Sequence, residues 1–223
     1  MSDSDATPAG GEPTPSVRAQ LLATEHWSLL ASRSTTQNEV LTRISIFLTL
    51  VSAGLVSLAL VGQATRFSDA FLVFAMVVLG FVAIVGVLTE MRVRNVAIED
   101  LMYVLAMNRL RAAYLELDPE IEKYFLASPH DDMRGSRLTY DFFGSRGSFS
   151  QVAGSSMVFI AAVDAVLVGL LGAGVAGAFA APAPTVVLIG SLCGVAYLAA
   201  TIAIGGRRYY SLWRTYTPYS PSR

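Results

Sequence analysis

Four long runs without a charged side chain dominate the chain. No Asp, Glu, Lys, Arg or His interrupts residues 44–65, 70–89, 147–163 and 165–206. A helix rises about 1.5 Å per residue, so about 20 apolar residues are needed to cross a hydrocarbon core of about 30 Å. The last run is long enough for two such helices, and Pro182 and Pro184 interrupt it near its middle. Since two prolines are poorly accommodated inside one helix, the pattern predicts four membrane spans.

These spans define the predicted fold class, an all-α four-helix transmembrane bundle with cytoplasmic helical extensions. We place the spans at residues 41–62, 70–89, 156–180 and 185–205. The composition supports this fold class: 53% of the residues are hydrophobic, only 15% are charged and the mean hydropathy is +0.52. So apolar a chain is unusual for a soluble domain, and the expected surroundings are a lipid bilayer.

The basic residues predict the orientation of the chain. Of its 16 Lys and Arg residues, only Arg66 lies on the side of the membrane opposite to the others. Cytoplasmic loops carry the excess of Lys and Arg in membrane proteins. We therefore expect the N-terminus, the central region (residues 90–155) and the C-terminus in the cytoplasm, and no cleaved signal peptide at the acidic start. The predicted location is a bacterial cytoplasmic (inner) membrane, crossed several times.

Three segments outside the spans lie toward the ends of the chain. Residues 1–15 are rich in Pro and Gly and are predicted to form a disordered tail. Residues 16–40 are predicted to form a cytoplasmic helix, although Thr36 to Glu39 fits a capping box that would start a new helix for the first span. Residues 206–223 form a basic, aromatic tail that is expected to anchor at the inner interface.

The central region is predicted to begin as a helix, because residues 90–117 contain no Gly or Pro. Apolar residues recur there at every third or fourth position, among them Leu101, Val104 and Leu117. Such a stripe needs a partner helix. The partner is either the 16–35 helix of the same chain or the same helix in another subunit, so a homo-oligomer or a protein partner is one of two expectations.

After Pro119 a short acidic helix is predicted over residues 120–126, and the rest of the central region is predicted to be irregular. Residues 128–135 have the composition of a turn. His130, Asp131 and Asp132 in this stretch are expected to be solvated rather than to hold a metal, because adjacent side chains point apart. Residues 135–155, rich in Gly and Ser, are predicted to form a mobile lead-in to the third span.

Asp164 is the only acidic residue within a predicted span. A carboxylate in hydrocarbon is costly, so its side chain should face the bundle or a wet cavity. Two roles are open: an ion or proton relay or selectivity contact, and a neutral, structural carboxyl that is hydrogen-bonded to a neighbouring helix. The candidate hydrogen-bond partners at comparable depth are Ser52, Ser57, Tyr197 and Thr201.

Small residues four apart predict close helix packing in the last two spans. Gly169 and Ala173 form one such pair, and Gly190 and Gly194 form another. Pairs of this kind let two helices approach closely in lipid. Their partner is either another span of the same chain or a second subunit.

Other candidate chemistry is not supported by its context. Residues 172–177 match the G-x-G-x-x-G pattern of dinucleotide-binding proteins, but no acidic residue follows about 20 positions later to bind a ribose. Cys193 is the only cysteine, so no disulfide within the chain and no multi-cysteine metal site is expected. We predict no cofactor, metal, nucleotide or nucleic acid as partner, and no enzyme activity, since no familiar catalytic motif is present.

Two segments resemble a known family. Residues 25–34 (EHWSLLASRS) and 106–119 (AMNRLRAAYLELDP) are similar to segments of a family of actinobacterial multi-span membrane proteins for which no activity is established. The resemblance implies a multi-span membrane fold and no site residues. The helical extensions on two-span hairpins also resemble, in architecture alone, membrane effector modules of bacterial conflict systems.

The sequence therefore leaves two classes of function open. The first is a non-enzymatic module that assembles with itself or with a partner through its cytoplasmic helices. The second is an ion channel, pore-forming effector or small transporter that uses Asp164.

Overall fold

The computed structural model describes residues 14–141, 144, 147 and 154–222. Within these residues the regular structure is entirely helical. The long helices are α1 (Pro15–Thr65), α2 (Asp69–Leu117), α4 (Ser156–Ala178) and α5 (Ala183–Thr215). A 3₁₀ helix (Pro119–Tyr124) and the short helix α3 (Met133–Tyr140) follow α2.

The four long helices are each long and apolar enough to cross a membrane. The all-α fold class with four spanning helices is thus confirmed, and the chain is a membrane protein. The break before α5 falls at Pro182, whose extended backbone precedes the helix. The side of the membrane on which the termini lie stays a prediction.

Helix α1 corrects the expectation of a new helix at Thr36. It runs unbroken from Pro15 to Thr65, and Glu39 does not act as the Glu of a capping box. Its carboxylate accepts hydrogen bonds from Arg43 at 2.9 Å and from Arg92 at 2.7 Å. The predicted disordered tail lies outside the described residues, apart from residue 14 and Pro15, which already begins the helix.

Helix α2 continues well past the apolar run, as the absence of Gly and Pro predicted. It ends at Leu117 because Pro119 disfavours a helical conformation in the residue before it. Asp118 is extended there, and its side chain accepts a hydrogen bond from the amide of Glu120 at 3.0 Å. That bond caps the 3₁₀ helix.

The turn predicted for residues 128–135 is wrong from Met133 onward, where helix α3 begins. Asp132 caps α3 by accepting a hydrogen bond from the amide of Gly135 at 2.7 Å. A side-chain cap of this kind satisfies an amide that the first turn leaves unpaired. The mobile lead-in predicted from residue 135 therefore starts with helix, and much of its remainder lies outside the described residues.

The described residues divide into two compact units. The polar unit comprises residues 14–32, 103–141 and 218–222, and the apolar unit comprises residues 33–102, 144, 147 and 154–217.

In each unit α1 lies beside α2. In the polar unit Arg18 pairs with Glu116 at 2.9 Å. In the apolar unit Arg33 pairs with Asp100 at 2.6 Å, and Gln37 donates to the same carboxylate at 2.8 Å. Helices α1 and α2 of one chain are therefore neighbours, and whether the apolar stripe on α2 packs within the chain or against another subunit stays a prediction.

Close contact at small residues joins α4 to α5 in the apolar unit. A Cβ added to Gly169 would lie 2.9 Å from the Gly190 carbonyl oxygen, and one added to Gly194 would lie 2.7 Å from the Ala165 carbonyl oxygen. A Cβ on Gly190 would lie 3.0 Å from that of Ala173. The two predicted small-residue pairs thus lie against each other.

Replacing Gly190 by Ala should lower the melting temperature of the protein in detergent. The added methyl group would press on the Gly169 carbonyl oxygen at 2.9 Å, and overpacking of this kind costs about 1 to 3 kcal/mol. The control is Gly80→Ala, because a Cβ there meets no described atom within 4 Å. Equal melting temperatures for the two variants would show that stability does not depend on this close approach.

Candidate functional site: a buried acidic cluster

Asp164 is buried inside the apolar unit. It lies on α4 in the same buried face as Ile160, Ala161 and Leu167, and only 1% of it is exposed. The side chain lies directly against Gly86 of α2, where an added Cβ would overlap Asp164 Oδ1. Gly86 is therefore the residue that makes room for the carboxyl group.

Neither oxygen of Asp164 has a hydrogen-bond partner among the described residues. Ser52 and Ser57, two of the predicted partners, donate instead to carbonyl oxygens of their own helix at 2.9 and 2.8 Å. Tyr197 donates to Glu90 at 2.7 Å. The hydrogen-bonded form expected for a structural Asp164 is therefore not the one that the structure contains.

Glu90 is a second buried carboxylate, which the sequence did not indicate as part of a site. It lies one turn after Gly86 on α2, or about 6 Å along the axis, and is 2% exposed. It accepts hydrogen bonds from Tyr197 of α5 and from Arg94 of α2. The only sequence signal for Glu90 is its place as the first charge after a span.

The two carboxylates differ in how their charge is compensated. Glu90 has a guanidinium and a hydroxyl donor, whereas Asp164 has neither. Burial of an ionised carboxylate without a partner destabilises the folded protein by on the order of several kcal/mol. The arrangement can therefore take up a positive charge at Asp164, either a proton or a cation.

The small pocket in this part of the apolar unit does not include Asp164. A pocket of about 10 Å³ lies between α1, α2 and α4, and the residue of α4 that lines it is Leu167, one turn from Asp164. The other lining residues are also apolar: Val51, Gly54, Leu55, Leu58, Val78, Leu79 and Val82.

The solvated turn predicted for residues 130–132 is wrong. Asp131 is completely buried in the polar unit. It accepts hydrogen bonds from the amides of Tyr219 at 3.0 Å and Ser220 at 2.8 Å, and it pairs with Arg109. The stretch therefore holds the C-terminal segment in place, and no metal-binding group of His, Cys, Asp or Glu occurs among the described residues.

Asp132 adds to this attachment. Burial raises the pKa of its carboxyl, but hydrogen bonds from the Ser222 hydroxyl and from the amides of Gly135 and Ser222 outweigh burial. The pKa of Asp132 therefore lies below its ordinary value of 3.8. A carboxylate that accepts several hydrogen bonds is favoured in its charged form.

The remaining predicted residues have these positions. Leu101 and Val104 are buried and Leu117 is half-buried. Cys193 is half-buried, with its Sγ 2.9 Å from where a Cβ of Gly172 would lie. The glycines of residues 172–177 all lie within helix α4, so they form no phosphate-binding loop.

Comparisons with protein-family models, with curated proteins and with solved structures found no significant match to this chain. The resemblance to actinobacterial membrane proteins therefore stays a prediction, and the function is argued from the geometry.

Replacing Asp131 by Ala should release the C-terminal segment. The amides of Tyr219 and Ser220 lose a charged acceptor, and hydrogen bonds to charged groups contribute about 1.5 to 3 kcal/mol. We expect their hydrogen exchange, measured by mass spectrometry, to become about 10- to 100-fold faster. Glu122→Ala removes an exposed carboxylate of the same unit and should change nothing. Unchanged exchange in Asp131→Ala would contradict the attachment.

The stabilisation from Asp132 should depend on pH. Because the folded pKa is lowered, this contribution is present above the ordinary pKa of 3.8 and is lost as the pH falls through the folded value. The measurement is the opening free energy of α3 from hydrogen exchange, corrected for intrinsic rates, in wild type and Asp132→Ala. Their difference should be constant from about pH 7 to 5 and become smaller in stronger acid, where the carboxyl is protonated. A difference independent of pH would rule out the carboxylate charge as its source.

Proposed function

We propose that this membrane protein is a small proton-conducting channel or transporter that binds its proton at Asp164. One observation carries the proposal: a carboxyl group only 1% exposed, inside the apolar unit, with neither oxygen hydrogen-bonded to a described residue. Intramembrane carboxyl groups of this kind are characteristic of proton and ion pathways. Protonation removes the charge that the surroundings leave uncompensated.

The lack of further ligands around Asp164 favours a proton over a metal cation. A bound metal cation takes several oxygen ligands, but no group of three or more His, Cys, Asp or Glu residues that could hold one occurs among the described residues. A proton needs only the carboxyl oxygen. It is therefore the ion that the site suits best.

Glu90 supplies a second acceptor toward one end of the spans. It lies about one helical turn from Gly86, which Asp164 touches, and the Tyr197 hydroxyl already donates to it. Hydrogen-bonded carboxyl and hydroxyl groups carry protons in membrane proteins. In the predicted orientation Glu90 and Arg94 lie at the cytoplasmic end of α2's span, in a bacterial inner membrane.

A non-enzymatic assembly module remains the second candidate. Its original basis, the stripe at Leu101 and Val104, is buried within the chain. The observation that favours assembly is instead the exposed apolar surface of the polar unit, where Trp27 is 70% and Leu126 is 76% exposed. Exposed large apolar side chains outside a bilayer are typical of protein contacts.

Proton flux into liposomes tests the proposal. Asp164→Asn keeps the size of the side chain and removes ionisation, so flux reported by an entrapped pH dye should fall at least about tenfold, as when a proton carrier is lost. The matched control is Asp69→Asn, which removes an exposed carboxylate at the start of α2 and should leave the flux unchanged.

A second pair of variants tests the position of Asp164 without changing it. Gly86→Ala places a methyl group where Asp164 Oδ1 lies and should lower the flux, whereas Gly80→Ala meets no described atom within 4 Å and should not. No flux in wild type, or equal flux in wild type and Asp164→Asn, would overturn the proposal. Either result would make the assembly module the leading hypothesis.

A further inference from the structure

A groove of about 470 Å³ runs along α5 beyond its apolar part. The described residues that line it are Ala203, Gly206, Arg207, Tyr210, Ser211 and Arg214. They recur every three or four positions and so share one face of the helix. Arg207 and Arg214 are two turns apart, about 10 Å along the axis, and the hydroxyl groups of Tyr210 and Ser211 lie between them in the sequence.

The charge of this groove is uncompensated along its own helix. Arg33, Arg92 and Arg94 of the same unit each pair with a carboxylate. Arg207 and Arg214 are exposed, and neither pairs with a described carboxylate. No Asp or Glu follows Asp164 in the whole sequence. An anion from outside this segment is therefore the natural partner of the groove.

The groove lies where a membrane interface should be. Arg207 is the first charged residue after a run that begins at residue 165. From Ala183 to Arg207 helix α5 rises about 36 Å, more than the hydrocarbon thickness of about 30 Å. Ala203 and Gly206 then lie on the membrane side of the arginines and leave room for an apolar chain.

The opposite face of α5 is aromatic. The rings of Tyr209 and Trp213 lie 6.2 Å apart, and those of Trp213 and Tyr216 lie 5.8 Å apart, with edge-to-face geometry. All three residues are half-buried, and the Trp213 indole nitrogen is buried. The aromatic face therefore packs toward the protein, which leaves the groove on the exposed face of the same helical turns.

We propose that this groove binds the headgroup phosphate of an anionic phospholipid, with Arg207 and Arg214 as its cationic ligands. Guanidinium groups bind phosphate oxygens through paired N–H donors, and the hydroxyl groups of Tyr210 and Ser211 add donors between them. The apolar floor at Ala203 and Gly206 selects a lipid over a soluble phosphate. This inference does not depend on the proton pathway.

The test measures lipid binding to the purified full chain in detergent by native mass spectrometry, with phosphatidylglycerol as anionic and phosphatidylcholine as zwitterionic probe. We expect phosphatidylglycerol to bind about tenfold more tightly, since each arginine near an anionic lipid adds substantially to affinity. Arg207→Gln and Arg214→Gln should each remove most of this preference. Equal binding of the two lipids to wild type would overturn the proposal.

Arg208→Gln is the matched control. It removes the same charge one residue away, but Arg208 does not line the groove, because successive helix positions differ by about 100°. The Arg208→Gln variant should keep the preference for phosphatidylglycerol. If it lost as much of this preference as Arg207→Gln does, the attraction would be unspecific and the groove would not be a defined lipid site.

Gly206→Leu tests the groove without removing a charge. A Cβ at Gly206 meets no described atom within 4 Å, so the variant protein should fold normally. Its leucine side chain should fill the groove and weaken phosphatidylglycerol binding. Inorganic phosphate at millimolar concentration should not compete. Full lipid binding by Gly206→Leu, or displacement of the lipid by phosphate, would contradict a lipid site in this groove.

Discussion

Close approach at glycine residues on two sides of α4 is the constraint on which the apolar unit depends. Gly86 of α2 admits Asp164, and Gly190 and Gly194 of α5 admit the backbone of α4. Lipid supplies no hydrophobic force between helices, so tight packing and buried polar contacts must hold a bundle together. With α4 fixed in this way, the Asp164 side chain faces a helix that offers space but no hydrogen-bond donor.

Most carboxylates near the long helices form an ion pair with an arginine. Glu39, Glu90 and Asp100 each pair with an arginine from α1 or α2. The pairs of Glu39 with Arg92 and of Asp100 with Arg33 join α1 to α2 and fix which faces of the two helices meet, whereas Glu90 pairs with Arg94 of its own helix. Asp164 inside the bundle and the groove arginines Arg207 and Arg214 at its edge form no such ion pair with a described residue.

Features that depend on the residue composition of a single helix were predicted from the sequence. Charge-free runs located the four spans, Pro182 located the break before α5, and the single acidic residue in a span pointed to Asp164. The sequence did not predict contacts between distant segments. Asp131 looked solvated because its donors, the amides of Tyr219 and Ser220, lie 88 and 89 residues away. Every residue except proline has a backbone N–H that can donate a hydrogen bond, so such contacts leave no pattern in the sequence.

Because α5 is one continuous helix, its polar end is held in a fixed conformation. The sequence suggested a separate tail from residue 206, but the helix extends to Thr215. Arg207 and Arg214 are therefore held at a fixed spacing on one face, and ordering a headgroup costs little conformational entropy of the protein. The same rigid helix carries Tyr197, which contacts Glu90 about 15 Å away from Arg207 along the axis. Any force that lipid exerts on α5 thus acts on a helix that also contacts the buried acidic cluster.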